Sequence, residues 1–419
     1  MIDPSRFARK ITLTLFSAQS LASCGLIAAA TLNSILGARL GGGAAWAGVP
    51  TAVYLLGGAG ASLLWGYLMD SLGRRGGLAL GLALGAVGAG LAFWSINSDQ
   101  FYIFLVAMLL MGVANATMQL GRFAAAEVHP PQQRGRAISY VVLGGTLGAI
   151  FGPLLVGPAG QAAQSRGMDE FSGAYLVTLI LFVVAALVVF AALRPDPKEI
   201  GAEVARLYPA NNELSGGDQP LKQILRRPAV QVAMLSMVAS QVVMVAVMVL
   251  TALHMRDHQH ALSDVSLVIS AHTIGMFAFS AVSGRLVDRW GRARVILSGA
   301  AGLLLACLAA PLSNMTIALA FSLFLLGLGW NFCYVGGSTL LSDHLSAGER
   351  SRTQGFNDLL IGLASALGSL VSGIIFARYG FAVMTIAGAV IATLPILAVW
   401  TWMRTQPQAH RPQAAQKSS

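Results

Sequence analysis

Apolar positions along this chain neither alternate with polar ones nor keep to one helical face. They fill long runs separated by short polar stretches. A helix of about 20 apolar residues spans a ~30 Å hydrocarbon core. With no water in that core, only helices or a closed barrel satisfy their own backbone groups. Barrel strands are runs of about ten residues with two-residue alternation, a pattern this chain lacks. Spans are expected near 11–36, 47–69, 77–96, 101–125, 137–160, 173–193, 228–253, 264–286, 294–311, 315–341, 353–377 and 379–403. The N-terminal MIDPSRFARK is basic and runs into the first span without a small-residue cleavage site, so it does not read as a removable signal peptide.

Composition sharpens this picture. The chain is 56% hydrophobic and only 11% charged over 419 residues, less than half the charge that covers a soluble domain. The net charge of +10 raises a nucleic-acid reading, which the placement of the charges excludes. On the side of the N-terminus lie 22 of the 27 Lys and Arg residues, from Arg6, Arg9 and Lys10 through the central loop to Arg411 and Lys417. The opposite side holds Arg39, Arg166, Arg256 and Arg378, and Arg122 lies within a span. By the positive-inside rule both termini face the cytoplasm. Cys24, Cys307 and Cys333 all fall in spans with no partner at disulfide or zinc spacing. No cofactor and no metal are expected.

The chain also repeats itself. GYLMDSLGRR begins at Gly66 and GRLVDRWGRAR at Gly284. Asn115 pairs with Asn331, Arg134 with Arg350, Arg136 with Arg352, Gly152 with Gly368 and Gly157 with Gly373, all 216 residues apart. Residues 194–227 form the one long hydrophilic stretch, with Pro195, Pro197, Asn211, Asn212, Gly216 and Gly217, and its PKEIGAEVARLY portion reads as a short surface helix. The expected organisation is two pseudo-symmetric six-helix bundles, 1–193 and 228–403, with a linker at 194–227 and a tail at 404–419. Parallel repeats of this kind place a substrate site at their interface near the bilayer midplane.

The doubled G-x-x-x-D-x-x-G-R-R pattern after spans 2 and 8 resembles the signature of the major facilitator superfamily, and the resemblance covers essentially the whole chain. It implies an alternating-access transporter, a monomer in the lipid bilayer of a bacterial inner membrane. Gly66 and Gly284 are expected to let a neighbouring helix approach. Gly73 and Gly291 are expected to permit a tight turn, and Asp70 and Asp288 to hold arginines or cap helix ends. Arg74, Arg75, Arg292 and Arg294 are placed to bridge the halves. The resemblance makes this cluster a cytoplasmic latch, which Glu127 with Arg134 and Arg136, and Asp343 with Arg350 and Arg352, would extend.

In span 5, Gly148, Gly152, Pro153 and Gly157 resemble the motif of the superfamily's proton-coupled exporters, although Val156 and Ser139 depart from it. Small residues allow close helix packing, and Pro153 removes a backbone hydrogen bond and can kink the helix. Span 11 has Ser369 in place of the proline, which confines the kink to one half.

In this superfamily spans 1, 4, 7 and 10 line the cavity. Asn115, Gln119 and Arg122 share one helical face of span 4, and Asn331, Tyr334 and Ser338 one face of span 10. Gln19 lies mid-span in span 1. Met234, Met237, Gln241, Met244 and Met248 form one stripe on span 7, which reads either as packing or as an adaptable pocket wall. Charges inside a membrane are costly and default to functional candidates. Spans 1 and 4 lack a deep carboxylate, and Met108 stands near where exporters carry an arginine. Asp358 and His272 are therefore the proton-coupling candidates by elimination. His254, His258 and His260 have spacing that could ligate a metal, against the plainer reading of an exposed polar loop. No nucleophile–base pair or phosphate loop argues for an enzyme. The function expected is proton-coupled export of a small amphipathic or drug-like molecule. A metabolite symporter and a non-transporting receptor are the alternatives.

Overall fold

The computed structural model describes residues 4–130, 133–208 and 219–405, and over these the chain is helical with no strand. Asn211, Asn212, Gly216, Gly217, Arg411 and Lys417 lie outside the described residues, as do the side chains of Arg6, Arg350 and Arg352.

The first half runs α1 (Pro4–Ala30), α2 (Asn33–Leu40), α3 (Val49–Asn97), α4 (Phe101–Glu127), α5 (Arg134–Leu154), α6 (Val156–Gln164) and α7 (Ser172–Ala192). Then come α8 (Pro197–Leu207) and α9 (Leu221–Ile224) in the connecting segment. The second half runs α10 (Pro228–Asp257), α11 (Leu262–Phe277), α12 (Ser280–Trp290), α13 (Arg292–Ala309), α14 (Thr316–Asp343) and α15 (Ala347–Thr405). The helix α3 is interrupted at Gly73 and α15 at Gly380, so each supplies two spans. Among the described residues nine helical stretches are long and apolar enough to cross a membrane, ten with α11 and α12 as one bent span. Dividing α3 at Gly73 and α15 at Gly380 arranges them as twelve crossings in two bundles of six.

Three spans expected to be continuous are broken. Span 1 turns at Thr31–Leu32 between α1 and α2, span 5 stops just past Pro153, and span 8 bends by 44° between α11 and α12. A break in hydrocarbon frees backbone groups that water cannot satisfy, and a turn or a side chain takes them over. At the span 1 turn Ala29 O accepts from Leu32 N–H at 3.0 Å, and the Tyr175 hydroxyl lies 3.2 Å from the same carbonyl and 2.9 Å from Asn33 Oδ1. At the span 8 bend, Asn331 Nδ2 donates to Met276 O at 2.6 Å.

Glycines set the helix spacing. A Cβ on Gly57 would lie 2.5 Å from Leu109 O, and one on Gly275 would overlap Phe324 O, so spans 2 and 4, and spans 8 and 10, approach backbone to backbone. Gly57 and Gly275 are separated by the same offset as Gly66 and Gly284, so the repeat extends into packing. In the first half, Gly144, Gly148 and Gly152 lay α5 directly on α1, where Cβ atoms would come 2.5–2.6 Å from the backbone of Phe16, Ser20 and Cys24. The outer face is apolar. On α7, Ile180, Val183, Leu187 and Phe190 are exposed while Phe182, Ala185 and Val189 are buried, an exposed stripe that a bilayer solvates and water does not.

The turns at Gly73 (φ 78°, ψ 167°) and Gly291 (φ 84°, ψ 156°) occupy backbone space essentially reserved for glycine. Among the described residues only the first is strapped by a side chain. Asp196, at the start of α8, accepts from the backbone N–H groups of Arg74 (3.1 Å), Arg75 (3.0 Å) and Lys198 (2.9 Å). It thereby caps α8 and the third span together. A Cβ on Gly73 would lie 2.5 Å from Asp196 Oδ2, whereas one on Gly291 would meet nothing within 4 Å. Both Gly73→Ala and Gly291→Ala are expected to cost about 1–3 kcal/mol in backbone strain. Gly73→Ala is expected to lower the melting temperature in detergent further, because it also displaces Asp196. Equal losses would show that the strap adds nothing.

Candidate functional site

The two halves meet on the side opposite the N-terminus. Ser369 Oγ donates to Gly48 O at 2.8 Å, and Gly48 approaches the Ser369 carbonyl so closely that a Cβ would overlap it. Arg256 of the second half forms an ion pair at 2.7 Å with Glu170 of the first and stacks over Phe171. Arg39, over the same ring, pairs with Asp169 and Asp99. Ser369 therefore does more than replace a proline: its hydroxyl and carbonyl form part of the seal.

On the N-terminal side, the ion pairs among the described residues each stay within one half. Arg74 binds Glu127 through two nitrogens (3.0 and 2.8 Å) and Asp70 at 2.7 Å, and these carboxylates hold its guanidinium more firmly protonated than usual. Arg75 Nε donates to Phe190 O, and its guanidinium covers the Phe190 ring. Arg292 pairs with Asp343 at 2.7 Å. Arg227 grips Glu349 through two nitrogens and holds that carboxyl below its ordinary range. Glu349 also accepts from Ser346 N–H at 3.0 Å, a capping box at the start of α15.

Several expectations are corrected here. Glu127 pairs with Arg74 instead of Arg134 or Arg136, and Asp343 pairs with Arg292, while the side chains of Arg350 and Arg352 lie outside the described residues. Arg134 reaches the His129 carbonyl and Arg136 the Tyr140 hydroxyl. A Cβ on Gly66 or Gly284 would meet nothing within 4 Å, so neither glycine marks a close approach in this conformation. Asp288 is exposed and Arg294 is exposed, and neither forms an ion pair among the described residues.

Between these two ends, polar side chains of spans 4, 10 and 11 share one space. Arg122 on α4 and Asp358 on α15 lie within electrostatic range of each other and of Tyr334 on α14, with no ion pair between them. The Arg122 Nε is buried without an acceptor, and its guanidinium lies 5.0 Å from the Phe123 ring centre. Asp358 and Gln119 are exposed within their spans, and neither Gln119 nor half-buried Asn115 makes a hydrogen bond among the described residues. Tyr334 stacks on Trp330 at 5.0 Å, and Trp330 Nε1 donates to Gln241 Oε1 at 2.6 Å. Trp330 is the residue that sequence reading missed, although it lies one helical turn from Tyr334 on the same face.

Other candidates belong to the packing. Asn331 is only 3% exposed and is bonded to Met276 O, Ser280 Oγ and Ser283 Oγ, so it braces the span 8 bend instead of mirroring Asn115. Gln19 is buried against Gly145 and donates to Ser23 Oγ. Met234, Met237 and Met244 are buried core residues, with Met237 against Gly337 and Asn357. His272 is fully enclosed between spans 8 and 10, donating from Nδ1 to Leu323 O at 2.9 Å and leaving Nε2 without a partner. His254 stacks on Phe381 and bonds Asn314, and His258 bonds the His254 carbonyl, so these rings are held within the fold.

Two outcomes follow from these placements. Asn331→Ala is expected to destabilise the protein by about 1–3 kcal/mol by stranding the Met276 carbonyl, whereas Asn115→Ala leaves the melting temperature unchanged and alters ligand affinity. Denaturation and binding measured on both variants check this. Glu170→Gln removes a half-exposed ion pair worth up to about 1 kcal/mol, a shift of about fivefold toward opening of that side. Spin labels at Ser165→Cys and Met315→Cys should then report longer separations, and unchanged distances would remove the pair from the gate.

Comparison with known proteins places this architecture. The family model of the Major Facilitator Superfamily matches residues 15–255 and 232–418. The uncharacterized MFS-type transporter YdeG of Bacillus subtilis (strain 168) is 36% identical over 402 residues, covering 94% of this chain and 92% of that protein. The riboflavin transporter RfnT of Brucella anthropi is 28% identical, covering 96% and 97%. Among solved structures, the peptide transporter POT in complex with alafosfalin superposes with a TM-score of 0.69 at 14% identity, over 96% of this chain and 99% of that one, a likeness of fold. Matched along its whole length and built of twelve spans in two bundles, the chain belongs to the major facilitator superfamily of transporters.

Proposed function

We propose that this chain exports a planar aromatic, amphipathic molecule in exchange for protons, and that the conformation described is closed to the outside and open to the cytoplasm. The observation that carries the proposal is the placement of Arg122 in one half and Asp358 in the other, within electrostatic range and with no ion pair between them. An unpaired charge at membrane depth costs about 2.5–3.5 kcal/mol on insertion scales. Ionised Asp358 and Arg122 therefore attract each other, and that attraction favours drawing the halves together on the cytoplasmic side. A proton on Asp358 removes the attraction. Proton occupancy and cavity opening are thereby linked.

Residues 1–193 and 228–403 act as the two rocking units, joined by 194–227. Asp70 and Asp288 serve as the cytoplasmic latch. In the open conformation Asp70 is held by Arg74 of its own half, and both aspartates become available to the facing half as that side closes. The stacked Trp330 and Tyr334 offer a platform for a planar ring, with Gln119, Asn115 and Arg122 opposite to hydrogen-bond its polar edge. Similarity to a riboflavin transporter along the whole chain supports a ring system of this kind. The exporter-type motif at Gly148, Gly152, Pro153 and Gly157 supports outward movement.

Proteoliposomes carrying an internal pH dye test the proposal against riboflavin, other planar heterocycles and lipophilic cations. A substrate-triggered pH change is expected, with its sign giving the direction. Asp358→Asn should abolish the pH change while binding persists. Trp330→Ala should weaken binding by about two- to twelvefold, the value of one aromatic contact. Substrate movement without proton movement would overturn the coupling.

A further inference from the structure

A cavity whose lining includes neither Arg122 nor Asp358 lies at the N-terminal-side ends of α1 and α5 and the α4–α5 connection, with a volume of about 650 Å³. Its polar end presents the guanidinium groups of Arg9 and Arg136 and the hydroxyls of Thr12 and Tyr140, and none of its lining residues is acidic. Neither arginine has a carboxylate partner among the described residues. Arg74, Arg227 and Arg292 on the same side of the protein are each paired with a carboxylate. Arg136 donates to the Tyr140 hydroxyl at 3.2 Å and lies 5.6 Å from its ring centre, so the two hold each other at the cavity edge. Thr12 is buried, and its Oγ1 has no hydrogen-bond partner. A helical threonine ordinarily returns its hydroxyl to the carbonyl four residues back, as Thr14 does to Lys10 at 2.9 Å.

His129 and Gln133 also border the cavity, and the remaining wall is apolar. Leu13 and Leu143 line it and are exposed, and Phe16 lies beside them. The cavity therefore joins two unneutralised cations to a greasy surface that runs toward membrane depth. An inorganic ion would use only the first of these features. We infer that this cavity binds an anionic phospholipid of the adjacent leaflet, its phosphodiester between Arg9 and Arg136 and an acyl chain along Leu13, Phe16 and Leu143. Guanidinium groups suit phosphate oxygens because they present paired donors in a fixed plane. Anionic leaflets concentrate such ligands at the depth where these helix ends emerge.

Native mass spectrometry of the full chain, released from membranes of phosphatidylglycerol and phosphatidylcholine, tests the inference. The unmodified protein should retain phosphatidylglycerol in preference to phosphatidylcholine. The double variant Arg9→Gln with Arg136→Gln should lose that preference by roughly thirtyfold, about a fivefold contribution per arginine at the membrane surface. Arg134→Gln removes the same charge two residues away but outside the cavity, and should leave retention unchanged; its melting temperature and that of the double variant identify any loss of folding. Retention reduced equally by Arg134→Gln and Arg136→Gln would reduce the effect to general surface charge and overturn the site. Displacement of the bound lipid by inorganic phosphate at millimolar concentration would overturn the lipid assignment in favour of a soluble anion. Thr12→Val keeps shape and charge, and weaker lipid retention in it supports a hydrogen bond from the unpartnered hydroxyl.

Discussion

A backbone in hydrocarbon has no water to bond to, and this constraint governs where the chain can bend. Straight helices satisfy it unaided. Each bend needs a side chain or a turn that takes over the freed groups. A turn does this at the end of α1 with the Tyr175 hydroxyl beside it, Asn331 at the break in span 8, and Asp196 at the turn through Gly73. All three side chains come from elements distant in sequence, so the bends bind the bundle together as well as shaping it. At the matching turn through Gly291 no side chain among the described residues takes that place, and a Cβ there would meet nothing within 4 Å.

The two ends of the molecule use different chemistry. The far side is sealed by backbone contact at Gly48 and Ser369, reinforced by one ion pair and a phenylalanine shared by two arginines. The N-terminal side keeps its charges within each half, anchored around Arg74 and Arg292. Short backbone contacts depend steeply on distance, so they act as a close-fitting stop. Charged groups reorganise at small cost near water, which suits the end whose partners change as a transporter cycles.

Inside the spans, polar residues divide between bracing and cavity, and spacing alone does not separate them. Asn115 and Asn331 occupy matching positions in the repeat. Asn331 bonds the carbonyl left over at a broken helix, while Asn115 is half-buried on the unbroken α4 and makes no hydrogen bond among the described residues. The methionine stripe of span 7 likewise resolves into core packing, because Gly337 and Asn357 sit against it. Trp330 was legible as an aromatic on the Tyr334 face, but the stacking and the bond to Gln241 depend on how spans 7 and 10 lie together.

By itself the sequence determined the class of solvent, the number of spans, the internal repeat and the family. Each of these follows from run length or local motif, and a residue's transfer energy does not depend on what lies opposite it. It also placed the turns at Gly73 and Gly291, since few residues other than glycine occupy that backbone region. Only the tertiary structure decided which carboxylate each arginine takes, which of two equivalent asparagines braces a bend, and that His272 is enclosed while Asp358 is exposed. Those outcomes depend on the rotation of one helix against another, set by glycine contacts between elements far apart in the chain, and a turn of a single residue exchanges a cavity position for a buried one.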